Sequence, residues 1–325
     1  MGNENPQLHV LFFPLMAHGH MIPMVDMAKL FAARGVKATI VTTPLNAPFI
    51  SKTIERIKTR GGGGGAKVDI QMIKFPVEKA GLPEGCENFE LLPSRGMLSS
   101  FLKALAVLQE PFEQLLHDID YHADCLVADM FYPWATDAAA KFGIPRLVFN
   151  GTSFFSPTAV ESMMQYEPHK KVLSDSEPFL IPNFPGEIKL TSMQVPSFIR
   201  EEVETDMTNV LKKAAEAGMR SYGIVVNSFY ELEPAYADHY RNVLKIGVEV
   251  GVERWVDGDD EVGEENIKKE AVEKAMKRIM VGEEAEEMRS RAKALGEMAR
   301  RAVEEDGSSY SDLNSLIGEL KSRCP

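Results

Sequence analysis

The chain has 325 residues, 44% of them hydrophobic and 26% charged, and a formal net charge of -12. That composition suits a globular chain of one large or two ordinary domains, and the acidic balance argues against a nucleic-acid binder, which needs a basic patch. Cys86, Cys125 and Cys324 form no CxxC pair, so neither a disulfide framework nor a zinc site is expected, and a reducing compartment is.

No apolar run reaches the roughly 18 residues of a membrane span, so no stable membrane insertion is expected. The opening Met-Gly-Asn-Glu-Asn-Pro lacks the order of a signal peptide. Pro6 stands where a myristoylation motif wants Ser or Thr, and Cys324 is penultimate rather than in a prenylation box. A cytoplasmic chain is expected.

Residues 8–13, Leu-His-Val-Leu-Phe-Phe, are a near-continuous apolar run and read as a buried strand. Residues 21–34 carry Met21, Met24, Val25, Ala28, Leu30 and Phe31 near helical spacing and stop at Gly35, which predicts a helix. A second strand is predicted over 37–43, a helix over 47–60 and a third strand over 68–74. Strands four to six are predicted over 125–130, 145–150 and 223–227. Near-continuous apolar runs of this kind belong to parallel strands covered on both faces. Their alternation with helices predicts an α/β fold, a Rossmann-like doubly wound parallel sheet.

Residues 75–94 and 173–196 are rich in Pro, Gly and acidic residues and read as long loops, where binding functions concentrate. Gly61 to Gly65 follows a helix, and no Gly-Lys-Ser/Thr comes after it, so a surface loop is predicted and not a phosphate cradle. After residue 244 the texture changes. Residues 245–256 are a short apolar, glycine-punctuated piece, and 257–265 an acidic linker. Residues 266–280 and 283–305 read as charged amphipathic helices, and 308–322 as a last, Ser-capped helix. Two segments follow: a Rossmann-like domain, 1–244, and a mainly helical tail, 245–325.

In such sheets ligands bind outside the carboxyl ends of the strands, where the strand order reverses. In the order 3-2-1-4-5, strands one and four flank that crevice. His20 follows strand one and Asp129 ends strand four. A carboxylate beside an imidazole orients the ring, which can then take a proton from a bound hydroxyl. His20 lies at a helix start, whose dipole is expected to disfavour the imidazolium and keep the base neutral. His18 is a rival on the same loop, and Gly19 is expected to permit an unusual turn between the two; the helix start favours His20. No G-x-G-x-x-G follows strand one and no G-x-S-x-G occurs, which argues against a classical NAD site and an α/β-hydrolase. No His and carboxylate set has metal-ligand spacing.

The run His9-Val-Leu-Phe-Phe-Pro-Leu-Met-Ala-His-Gly-His-Met-Ile-Pro-Met-Val-Asp-Met-Ala-Lys-Leu-Phe31 resembles the opening of plant secondary-product UDP-glycosyltransferases. It is most similar to the branch that glucosylates flavonoids, coumarins, steroids and other small phenolics. Phe149-Asn-Gly-Thr-Ser-Phe-Phe155, Val225-Val-Asn-Ser-Phe-Tyr-Glu-Leu-Glu233 and the tail from Ala285 to Ala299 and Gly307 to Asn314 extend the likeness. The resemblance implies a GT-B architecture of two Rossmann-like domains, with the acceptor on the N-terminal one and the UDP-sugar mainly on the other. It implies inverting transfer of glucose, or a similar sugar, to a hydroxyl of a small hydrophobic metabolite. His20 matches the family's base and Asp129 its partner. Gly19, Phe89, Phe131 and Thr152 match acceptor-pocket positions. The UDP-sugar is a co-substrate, and no cofactor or metal is implied.

The chain departs from that pattern in one large way. The family's donor box, which begins Trp-Ala-Pro-Gln and contains His-Cys-Gly-Trp-Asn-Ser, is absent: the last histidine is His239 and the only tryptophans are Trp134 and Trp255. After residue 244 only 81 residues remain, 325 less 244, where a Rossmann-like domain takes on the order of 150. The expectation is an incomplete donor domain and impaired transfer. Two alternatives stand beside it: a non-catalytic truncated isoform that binds acceptor or regulates a full-length partner, and a non-glycosyl α/β enzyme.

Overall fold

The computed structural model describes residues 7–58, 68–118, 123–200, 204–237 and 285–323. In chain order the elements are β1 His9–Phe13, α1 His18–Ala32, β2 Lys37–Thr42, α2 Ala47–Lys58, β3 Val68–Met72, α3 Val77–Ala80, α4 Leu98–Val107, α5 Gln109–Asp118, β4 Cys125–Asp129, α6 Ala135–Lys141 and β5 Arg146–Asn150. There follow α7 Phe155–Tyr166, β6 Phe179–Leu180, β7 Lys189–Leu190, α8 Ser197–Arg200, α9 Asp206–Met219, β8 Gly223–Val226 and α10 Pro234–Ala237. Two further helices span Ala285–Val303 and Ser308–Arg323.

The chain divides into two compact units. The first takes in Met1–Gly151, Glu204–Asn227 and Leu313–Pro325. It holds a six-stranded sheet in the order β3-β2-β1-β4-β5-β8, with every neighbouring pair parallel. This is the doubly wound α/β sheet the apolar runs predict. β1 and β4 are buried at every residue, as central strands covered on both faces must be. β3 lies at one edge, is only half-buried, and stops at Met72, two residues short of the predicted end. At the other edge Ile224 of β8 is largely exposed. The buried face of α1 is Met21, Met24, Val25, Ala28, Phe31 and Ala32, which recur at helical spacing. Gly35 takes φ +76 just past its end and so turns the chain into β2.

The segment 75–94 holds α3 and a 3-10 turn at Phe89–Leu91. A polar network anchors it: Asn88 Nδ2 donates to Asn46 Oδ1 at 2.8 Å, and Asn46 Nδ2 donates to the Glu87 carbonyl at 3.0 Å. The C-terminal part of the last helix, from Leu313, belongs to this unit. Its Ile317 and Leu320 enter the core, Arg34 Nε donates to Asn314 Oδ1 at 2.7 Å, and the Arg323 guanidinium lies 4.2 Å over the Tyr222 ring.

The second unit comprises Thr152–Val203 and Ser228–Asp312. Its core gathers Met163, Phe179, Ile181, Phe184, Val195 and Tyr236. The segment 173–196, read as a loop, carries the short antiparallel pair β6–β7, with Phe179 opposite Leu190. The predicted glycine loop 61–65, the apolar piece 245–256, the linker 257–265, the helix 266–280 and the boundary at 244 lie outside the described residues. Among the described residues no helix is long and apolar enough to cross a membrane.

Candidate active site

β1 and β4 run side by side, with Phe13 opposite Ala128. Beyond them the chain is pinned by Tyr132. Its ring stacks on Phe13 at 4.2 Å and its hydroxyl donates to the Pro14 carbonyl at 3.1 Å. The loop after β1 is thereby held against the turn after β4. α1 starts at His18, three residues before the predicted Met21. The reason is a cap from far along the chain: the His18 N–H donates to Glu90 Oε1 at 2.8 Å. A carboxylate there satisfies an orphan donor and meets the positive end of the helix.

His20 sits in the first turn of α1 and points at the end of β4. Its Nδ1 lies 2.7 Å from Asp129 Oδ2. Asp129 is fully buried, and its Oδ1 accepts the Phe131 N–H at 3.1 Å. With both carboxylate oxygens engaged, the ring orientation is set. The side chain of His20 is 24% exposed, and among the described residues Nε2 meets no protein partner. One nitrogen is therefore held by a buried carboxylate and the other is open.

Burial pulls the His20 imidazolium down, but the hydrogen bond it donates to Asp129, the charge of Asp129 and the charge of Glu90 outweigh burial, so the net pKa is raised above the ordinary histidine value. The expected lowering by the helix start is overturned. Two carboxylates, one of them the helix cap itself, outweigh the loss of solvent.

His18 is resolved away from Asp129. Its ring packs edge-on to Phe49 at 4.7 Å, and its Nδ1 lies 3.5 Å from Glu90. Gly19 makes no unusual turn. It is helical, φ is not positive, and a Cβ there would meet nothing within 4 Å. Phe131 lies edge-on to the His20 ring at 5.9 Å. Phe89 is half-exposed, edge-on to Phe101 at 5.9 Å, and its N–H donates to the Met16 carbonyl at 2.8 Å, just before α1. Thr152 is exposed and belongs to the second unit.

Three residues escaped the sequence reading. Glu90 caps α1. Gly151 lies under the imidazole: a Cβ there would stand 3.3 Å from His20 Nδ1 and 3.5 Å from Cε1. Arg146 donates through Nη2 to the Asp129 carbonyl at 2.8 Å. Gly151 had a signal, since it adjoins the predicted fifth strand, beside strand four, whereas Arg146 lies inside that strand and nothing local points it at Asp129. Glu90 had none. Among the described residues no three His, Cys, Asp or Glu side chains could together hold a metal ion.

No family model matches the chain. Scopoletin glucosyltransferase of Nicotiana tabacum is 54% identical over 238 residues, 73% of this chain and 49% of that protein. The chain spans about half the length of that relative. UDP-glucose flavonoid 3-O-glucosyltransferase 7 of Fragaria ananassa is 34% identical over 483 residues, covering 97% of this chain and 96% of that protein. That match is longer than the chain, so 483 less 325, at least 158 positions, face no residue here. The crystal structure of Glycyrrhiza uralensis UGT73P12 complexed with glycyrrhetinic acid 3-O-monoglucuronide is similar with a TM-score of 0.85 and 26% identity, over 97% of this chain and 96% of that one.

Proposed function

The chain belongs to the plant secondary-product UDP-glycosyltransferases, and from that premise we propose that it carries the acceptor-activating half of their reaction. The observation that carries this reading is the His20–Asp129 pair, closed on Nδ1 at 2.7 Å and open on Nε2, at the carboxyl ends of β1 and β4. A hydroxyl of a small hydrophobic metabolite, a phenolic by analogy with the relatives' names, would donate its proton to Nε2. The deprotonating oxygen attacks the anomeric carbon of a UDP-sugar, glucose or a similar hexose, from the side opposite the leaving UDP. The C–O bond to the acceptor forms, the C–O bond to UDP breaks, and the anomeric centre inverts. The proton ends on His20, and Asp129 stabilises the imidazolium that forms. Phe131 and Phe89 would offer apolar walls to the acceptor, beside Gly19, where the space above the helix is open. Thr152 is proposed as a further acceptor contact on the strength of the motif alone.

The positions of the Fragaria ananassa match that face no residue here are numerous enough to hold a donor box. We therefore assign this chain acceptor binding and proton removal, with sugar transfer impaired. A second reading, a non-catalytic isoform that binds acceptor or regulates a full-length partner, is favoured by the same gap. The test is a version with the donor box restored, assayed with flavonols and coumarins. There His20→Ala is expected to lower the rate by about 10²- to 10⁴-fold, the usual loss for a positioned base. Full activity of that variant would remove His20 from the role.

A further inference from the structure

We propose that Arg146 is a positioning residue of the site: it fixes the end of β4 and supplies the cation against which the Asp129–His20 pair titrates. The proposal rests on the reading of His20 as the base. Arg146 opens β5 and stands opposite Leu126 of β4, three residues before Asp129. Its side chain is buried and runs toward the end of β4. Nη2 donates to the Asp129 carbonyl at 2.8 Å and Nη1 to Thr136 Oγ1 at 2.6 Å. Nε has no partner. A guanidinium buried this way, with a donor unpaired and no ion pair of its own among the described residues, is costly to the fold. A well-packed apolar side chain would serve stability as well or better. What it does supply is a fixed charge next to a buried carboxylate.

Burial outweighs the pull of Asp129 and Asp137 and leaves the guanidinium at about 10, so it is a cation at neutral pH. The charged groups around the site are few. Asp129 faces Arg146 from β4, and Asp137 faces it from α6. Asp137 is itself engaged by Arg220 at the end of α9. Around His20 stand Asp129 and Glu90. Two carboxylates raise the proton affinity of His20, and Arg146 is the cation that opposes them. It lets the imidazole stay neutral often enough to act as a base.

The sign of the effect does not depend on where the proton sits. Removing a positive charge favours proton uptake by the pair as a whole. Arg146→Met should therefore raise the midpoint of His20, by about half a unit to one unit. Arg146→Lys keeps the charge and should stay near the parent.

The experiment uses the 325-residue chain labelled at its histidine rings, with His20 assigned by the signal lost in His20→Gln. Ring titration is followed by NMR, and folding by circular dichroism. A raised midpoint in Arg146→Met, with Arg146→Lys near the parent, supports the proposal. An unchanged or lowered midpoint in a folded Arg146→Met overturns it. Should the Met variant not fold, Arg146→Gln is the neutral substitute, since it keeps a donor for the Asp129 carbonyl, and the same two outcomes apply. The readout needs no sugar and no turnover. If the midpoint rises while His20→Ala keeps full transfer in the restored enzyme, Arg146 retains its role and the assignment of the base fails.

Discussion

His20 Nδ1 and Asp129 Oδ2 are 2.7 Å apart in space and 109 positions apart in the chain. That single bond decides how the imidazole behaves. Burial alone would lower its pKa, and Asp129 reverses the direction. In Asp129→Asn the hydrogen-bond geometry can persist but the charge is gone. The His20 midpoint is then expected to fall from above the ordinary value of about 6.5 to near or below it. NMR titration of the parent and the variant checks this. In the restored enzyme the acid limb of the rate–pH profile, which reports loss of the neutral base, should lie above that value and shift down in Asp129→Asn. A midpoint that does not move would show that Asp129 only packs.

The same raised pKa makes a statement about stability. The folded value exceeds the unfolded one, so the pair's contribution is full below the unfolded value of about 6.5 and is lost as pH rises through the folded value. The stability difference between the parent and His20→Gln, from urea unfolding, should thus be larger at about pH 5.5 than at about pH 8.5. Equal differences at both pH values would contradict a raised pKa.

Gly151 is the floor under the ring. A methyl at 3.3 Å from Nδ1 is closer than ordinary van der Waals contact, so the imidazole must give way. The backbone around Gly151 adopts no left-handed conformation, so the fold itself should tolerate Ala. Gly151→Ala is expected to keep the thermal midpoint within a few degrees, since a change of about 1 kcal/mol shifts it little in a chain of this size. Transfer by the restored enzyme should fall by a few-fold to roughly 10-fold, because the ring must give by only a few tenths of an ångström, where a full 1 Å costs on the order of 10²-fold. An active variant with a perturbed fold would reverse the assignment.

Glu233 does for α7 what Glu90 does for α1. It is buried, and its two oxygens accept the N–H groups of Phe154 and Phe155, both at 3.1 Å, with the Ser228 hydroxyl on the same carboxylate. Glu233→Ala strands these donors at a half-buried helix start. A cost of about 2–4 kcal/mol is expected, and about half of that for Glu233→Gln, which keeps one acceptor. Equilibrium unfolding in urea would measure both; a loss under about 0.5 kcal/mol for Ala would place the cap's work elsewhere.

What could be read from the sequence follows from what is local. β1 and β4 were legible because central parallel strands, buried at every position, read as near-continuous apolar runs. The meeting of His20 with Asp129 was legible because the strand order alone brings those strand ends together. The start of α1 was not, because its cap, Glu90, comes from 72 positions away. Arg146 was read as part of an apolar strand, since nothing local says that a cation at its first residue will reach along the sheet to Asp129. Glycine at 151 was visible only as part of a motif. The ring that needs its missing Cβ arrives from α1.

The final prediction concerns the donor. Transfer needs the anomeric carbon held within about 3–3.5 Å of the acceptor oxygen. It also needs preorganised donors for the growing charge on the pyrophosphate, worth about 10²- to 10³-fold for a single donor. His20 and Asp129 supply neither, since they act on the acceptor proton alone. In the first unit the polar groups of the site are already committed: Asp129 to His20 and Phe131, Glu90 to α1, and Arg146 to the Asp129 carbonyl and Thr136. The chain as written should therefore bind a flavonol or coumarin in calorimetry while showing no measurable heat with UDP-glucose. UDP release should be lower than that of the restored version by at least about 10³-fold, the loss of one stabilising donor and of positioning together. Comparable UDP release from the two proteins would mean that residues 245–325 bind the donor by themselves, and the impairment proposed for this chain would be withdrawn.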